Sequence, residues 1–401
     1  VPEPTHPPAD FSWRVLLITA YLPTLLVSIG FGAVVPLIAV SAIDLGASPG
    51  MAAFVVGVYG LGGLLADLPA GAIAARFGEK RSMIGACVIE AAAMILAWQS
   101  QQLWLFIVAI AVAGACASMV QLARQAYLLV AVPIHLRARA MSGLGGTFRI
   151  GWFIGPLIAA GVVAAFDTRA AYVAAAIMSL ASALIMLALP EPEGARAVTE
   201  DTGPRLGTVI RENRKSLLTL GIGAMVLMLV RAARLTIVPL WAAQQGVPPH
   251  LISLFFAAAG LAEIVMTLPS GWVMDRYGRF WAAVPTLLAL AIGFAVLPLA
   301  TTAWAIGLVA FWIGLGNGFS AGVVMTLGAD TAPKNARQRY LAVWRLMVDG
   351  GNAAGPLLVT ATVAAAPLWG SALLAAAVCL AGAGWFTRWL PRRPGPVSVL
   401  E

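Results

Sequence analysis

Nine ionisable side chains interrupt otherwise apolar stretches of this 401-residue chain. Four are acids, Asp67, Glu90, Glu263 and Asp349, and five are arginines, Arg124, Arg149, Arg231, Arg234 and Arg345. A carboxyl group held away from water can take up and release a proton near neutral pH. That makes Asp349 and Glu263 the candidates for carrying a proton. A guanidinium stays charged and offers five donors, so a buried arginine either pairs with an acid or holds an anion. Arg231 and Arg234, three residues apart, share one face of a helix. Other chemistries lack their parts. His6, His135 and His250 fall in a tail and two loops and make no metal cluster. No phosphate-cradling glycine loop of the ATP-binding kind is present, and the residues suggest no enzyme active site and no cofactor.

The elements that must position these charges follow from composition. Hydrophobic residues make up 61% of the chain and charged ones 10%, with a mean hydropathy of +0.90, against about 25% charged in an ordinary soluble domain. Such a chain spans a bilayer repeatedly. Twelve apolar runs are long enough, near 14–41, 51–74, 82–99, 103–130, 138–166, 170–190, 216–244, 249–273, 280–299, 303–329, 337–366 and 368–389. The first reads as a retained span, not a cleaved signal. The longest polar break, 191–215, divides the chain into an N-terminal bundle (1–190), a linker (191–215) and a C-terminal bundle (216–401). The net charge of +8 then points to topology, not to nucleic acid. Of 25 Lys and Arg, Arg169 alone lies in the loops of one side, and the rest outside the runs crowd the other loops, the linker and the termini. The positive-inside rule places both termini in the cytoplasm of a multi-pass protein of the cell membrane. Cys87, Cys116 and Cys379 all sit in apolar runs, which argues against a disulfide framework.

The chain also repeats itself. LPAGAIAARFGEK begins at Leu68, and LPSGWVMDRYGRF begins 200 residues later at Leu268. At the same offset Pro49 matches Pro249, Trp104 matches Trp304, and Arg137 and Arg139 match Arg337 and Arg339. Gly151, Gly155 and Pro156 match Gly351, Gly355 and Pro356, while VVPL (34–37) matches IVPL (237–240) at a slightly larger offset. The reading is two parallel six-helix repeats with a site between them near the midplane. The glycines of the loop copies, Gly71 with Gly78 and Gly271 with Gly278, suit close helix approach and a tight turn. Asp275, Arg276 and Arg279 in one copy, and Arg76 in the other, could latch the loop to a facing helix end.

GWVMDRYGR, from Gly271 to Arg279, resembles the signature loop of the major facilitator superfamily, and the likeness extends over both copies and all twelve runs. The resemblance implies an all-α membrane protein of twelve transmembrane helices in two pseudo-symmetric six-helix bundles that rock about a central cavity. Ala75 departs from the acid of that motif, so the first latch is expected to be weaker, or to be supplied by Asp67 or Glu79. Gly151-Trp-Phe-Ile-Gly155-Pro156 resembles the fifth-helix motif of drug/proton antiporters, although Ala159 and Ala160 replace its trailing glycines and the same spacing recurs at Gly351–Pro356. By the same resemblance, cavity-lining helices carry Arg124, Arg231 and Arg234. Arg149 and Asp349, equivalent in the repeats, make a natural pair between bundles, with Arg345 competing for Asp349 from one turn away. A switchable pair and a static one remain equally open.

The expected function is secondary transport of a small molecule, with proton-coupled export of amphipathic compounds ahead. The protein is expected to be a monomer in the lipid bilayer, with the proton as coupling ion. Thirteen Met and thirteen Trp could build an adaptable pocket. The alternatives are a carrier of organic anions or acidic lipids held by the arginines, and a receptor on the same scaffold that binds without flux.

Overall fold

A computed structural model describes residues 16–133, 136–188, 206–333 and 335–392. Most of the linker, the outer parts of both termini, and His6 and His135 lie outside the described residues. Twelve long helices follow one another: α1 (Leu17–Asp44), α2 (Pro49–Phe77), α3 (Glu79–Gln99), α4 (Leu103–Ala131), α5 (Arg137–Ala165) and α6 (Ala170–Ala188), then α7 (Arg214–Gln244), α8 (Pro249–Tyr277), α9 (Phe280–Leu299), α10 (Ala303–Thr331), α11 (Arg337–Ala365) and α12 (Leu368–Trp389). Eleven are apolar and long enough to cross a membrane on composition alone. The exception, α11, spans 29 residues but carries the half-buried polar residues Arg345, Asp349 and Asn352. The polar break is not wholly loop, since Leu206–Glu212 forms a short helix that rests on α11 and buries Val209.

Local chemistry sets the helix ends. The Ser48 hydroxyl accepts from the Met51 amide ahead of Pro49, and Thr302 caps Ala305 in the same way. Gly46, Gly78, Gly246 and Gly278 all take positive φ at turns, and the members of each pair stand 200 residues apart. α1 and α7 also end in step, at Asp44 and Gln244, and carry π-helical turns 200 residues apart, Leu17–Tyr21 and Leu217–Gly221, so the repeat offset in these helices is 200. The VVPL and IVPL prolines, Pro36 and Pro239, are therefore not equivalent positions.

Within the first bundle α1 packs on α5 and α6, α2 on α4, and α3 on α4 and α6; the second bundle repeats this with α7–α12. The Gly-Pro motifs explain the tightest of these contacts. A Cβ on Gly155 would overlap the Ile29 carbonyl of α1, and one on Gly355 the Leu229 carbonyl of α7. Small residues thus seat α5 on α1 and α11 on α7 inside each bundle. Between the bundles, α2 lies along α11 and α5 along α8.

One pair of helices breaks the symmetry. α4 is continuous, whereas α10 is interrupted after Gly318 by a turn that Gly322 closes at φ +87°. The sequence reading of an unbroken run over 303–329 missed this break. Its position is set by packing: a Cβ on Gly318 would stand 2.6 Å from the Glu263 Cα of α8.

Candidate functional site

Three groups of residues meet near the seam between the bundles. The first is a run of rings. Phe31 of α1 lies 4.8 Å from Tyr59 of α2 and 5.1 Å from Trp152 of α5, and Phe148 follows at 6.0 Å from Trp152. Gly151 and Gly155 bring α5 close enough to α1 for Trp152 to reach Phe31. The rings are half-buried, and the Tyr59 hydroxyl and the Trp152 indole N–H are buried without a hydrogen-bond partner. Sequence reading missed this wall because single aromatic residues on three helices leave no local pattern.

The second group is a charge cluster on the other side of the seam. Arg234 Nη1 of α7 donates to Glu263 Oε1 of α8 at 2.5 Å, and Arg234 is 7% exposed with its Nε unpartnered. Arg231, one turn earlier, reaches the Met228 thioether at 3.8 Å, and its charged neighbours are Glu263, Arg234 and Arg149. Arg149 of α5 likewise has Glu263 as its charged neighbour. Gly260, three residues before Glu263, packs against the backbone of Trp152 and Phe153. The ring wall and the charge cluster are therefore adjacent.

The third group is a bridge. Arg345 of α11 approaches Asp349 Oδ2 at 3.2 Å on its own helix and Asp67 Oδ1 of α2 at 3.7 Å across the seam, and it donates to Gln125 of α4 at 3.3 Å. Ser118 of α4 donates to Asp67, and Asp67 is a charged neighbour of Asp349. Two carboxyl groups from opposite bundles thus share one guanidinium.

These placements correct the expected Arg149–Asp349 pair. Repeat symmetry makes the two positions equivalent without making them neighbours: α5 faces α8 and α11 faces α2. Arg149 accordingly joins Glu263, and Asp349 joins Arg345 and Asp67. Arg124 does not enter the central cluster either. It is buried inside the first bundle with Cys87 of α3 as its neighbour, and its Nε is unpartnered. Glu90, also inside that bundle, contacts Ser179 and lines a cavity of about 10 Å³ with Phe31, Tyr59 and Met94, room for roughly one water.

The loop residues lie apart from this centre. Asp275 is exposed, while Arg276 stacks over Trp272 and Tyr277 at 5.6 and 5.9 Å. Arg279 pairs with Asp330 at the end of α10 at 3.0 Å, inside its own bundle. Arg76 lies over Phe77, and Gly71 and Gly271 have open space where a side chain would be. Asp67 cannot serve as the missing loop acid, since it lies about two turns before that position on α2 and is engaged by Arg345 and Ser118.

Twelve helices in two like bundles, with paired charges where the bundles meet, define a membrane carrier. The family model of the Major Facilitator Superfamily matches residues 20–219 and again 220–400, once per bundle, and the chain belongs to that family. Its members are transporters of small molecules, not enzymes, and the protein is a multi-pass protein of the inner membrane. Among curated relatives, the multidrug resistance protein MdtG of Escherichia fergusonii is 22% identical over 89% of this chain and 90% of its own. The multidrug resistance protein MdtH of Yersinia pestis is 25% identical over 82% of each chain. Among solved structures, the inward-open xylose transporter XylE of E. coli superposes with a TM-score of 0.73 at 15% identity, over 94% of this chain and 96% of XylE. That last likeness concerns the fold alone.

Proposed function

We propose that the protein exports amphipathic small molecules by alternating access, with protons as the coupling ion. The observation that carries this reading is the bridge Asp67–Arg345–Asp349. Arg345 stands within ion-pair distance of carboxylates on both bundles, so adding a proton to either acid removes one arm of the link. Protonation from outside would release α11 from α2 and let the bundles rock, and deprotonation would restore the link. Glu263 is the weaker proton carrier of the two first considered, because it is committed to Arg234 at 2.5 Å. The ring wall of Phe31, Tyr59, Trp152 and Phe148 offers a large apolar surface for the moving molecule. The names of the relatives, multidrug resistance proteins, support drug-like cargo.

Everted membrane vesicles with an imposed pH gradient test the proposal. Vesicles containing the protein are expected to accumulate amphipathic dyes, and a protonophore should abolish the accumulation. Asp349→Asn should reduce the gradient-driven component at least tenfold while the purified variant still melts cooperatively. Accumulation indifferent to the gradient, or unchanged in Asp349→Asn, would overturn proton coupling. Saturable dye binding with no flux would identify a receptor instead.

A further inference from the structure

We infer that the central site takes an aromatic organic anion, with its ring on the Phe31–Tyr59–Trp152 wall and its carboxylate or sulfonate between Arg149 and Arg231. The inference rests on reading this site as the place where the transported molecule binds, and it names that molecule's chemistry.

Three guanidiniums, Arg149, Arg231 and Arg234, face a single carboxylate, Glu263. The 2.5 Å pair commits Oε1 of that carboxylate to Arg234, and its single negative charge is set against three positive ones. Arg231 is left with a thioether acceptor at 3.8 Å, and a thioether is a weak acceptor for a guanidinium. An arginine cannot escape by losing its proton, and an uncompensated charge at this depth is costly. Among the described residues, no other intramembrane acid is a charged neighbour of Arg149 or Arg231. Asp67 and Asp349 pair with Arg345, and Glu90 lies inside the first bundle against Ser179 with its Oε2 unpartnered. The cluster thus holds three guanidiniums against one carboxylate, and a carboxylate or sulfonate matches the fork of a guanidinium.

The spacing fixes the rest of the ligand. Arg149 and Trp152 stand three apart on α5, so they share one face at roughly 5–6 Å between Cβ atoms. A molecule that satisfies both carries its anionic group about one ring's width from its apolar body. A lipid phosphate would supply the same charge but no ring for the wall.

The test is equilibrium binding to the full chain in nanodiscs of zwitterionic lipid, using radiolabelled naphthalene-2-sulfonate and the (naphthalen-2-yl)methylammonium cation. Saturable binding with at least a tenfold preference for the sulfonate is expected. Arg231→Gln and Arg149→Gln should each weaken sulfonate binding about tenfold, while Arg169→Gln, in the loop between α5 and α6, should not. Where Arg231→Gln fails to fold, Arg149→Gln decides alone. Equal or reversed preference, absence of saturable binding, or sulfonate binding indifferent to the arginine variants would overturn the inference. So would displacement of the sulfonate by phosphatidylglycerol added to the nanodisc, which would make a lipid the occupant. Proton-driven dye export that persists when the anion preference fails sinks this inference alone. Anion binding without gradient-driven flux sinks the proposed function and leaves the binding chemistry standing.

Discussion

Gly155 lies against Ile29 and Ala33 of α1, and Gly355 lies against Leu229 and Ala233 of α7. Yet two residues before each alanine the first bundle carries Phe31 and the second Arg231. The same substitution of character recurs along the seam. Trp152 stands where the second bundle has Asn352, Tyr59 where it has Ala259, and Gly63 where it has Glu263. The scaffold is duplicated because glycines and prolines that dictate backbone approach are kept in both halves. The inward-facing positions between them are free to diverge, since changing a side chain at the seam leaves the helix–helix contacts behind it intact. The result is an apolar aromatic wall facing a cationic one, a surface suited to molecules with both an apolar body and a polar end.

The division of labour can be broken at either level. The largest effect is expected from Glu263→Gln, which leaves Arg234 buried without its partner and should cost roughly 3–5 kcal/mol. Thermal melting in detergent would report it, and the double substitution Glu263→Gln with Arg234→Gln should recover most of the loss. If the double variant is no better than the single, the pair is not the reason for the cost. Next come the duplicated glycines. Gly155→Leu and Gly355→Leu push a side chain into a neighbouring backbone and should destabilise by about 3 kcal/mol each, the upper range for overpacking. Size-exclusion profiles should lose the monodisperse peak to a similar degree for both. A large difference between them would show that the halves do not share one packing scheme.

Smaller changes sharpen the asymmetry. Gly322→Ala forces a side chain into the left-handed region at the break in α10 and should cost about 1–2 kcal/mol. Leu122→Gly, at the equivalent place in continuous α4, should cost about 1 kcal/mol for the opposite reason, loss of helix propensity. Comparing the two melting temperatures tests whether the break is dictated locally. Smallest, Trp152→Ala should weaken binding of an aromatic ligand by about 1 kcal/mol, roughly fivefold. Asn352→Ala, its counterpart in the second bundle, should leave that affinity within twofold.

Much of this was legible in the chain. Apolar length located the twelve helices, and the doubled loop and Gly-Pro motifs revealed the two halves. The site was legible only in part. The nine ionisable groups stand out in any apolar run, but their partners do not. Arg345 and Asp349 are one turn apart, so that contact was available from spacing. Asp67, the other arm of the bridge, comes from 278 residues earlier, and no local signal ties it to Arg345. The expectation that Arg149 meets Asp349 failed for a related reason. Sequence symmetry identifies equivalent positions, while a contact across a pseudo-twofold axis depends on which helices face each other. Phe31, Tyr59 and Trp152 went unread because one ring per helix has no periodicity.

What the sequence by itself determined is therefore everything that acts along a helix or over a single turn. That covers membrane insertion through apolar length, helix ends through Ser48, Thr302 and the turn glycines, and the repeat through its fixed offset. Only the tertiary structure decided which charges neutralise one another, where α10 breaks beside Glu263, and that the rings of one bundle confront the arginines of the other. These depend on distances between segments far apart in the chain. Such distances are set by how closely small residues let the backbones approach, and no short stretch of sequence records them.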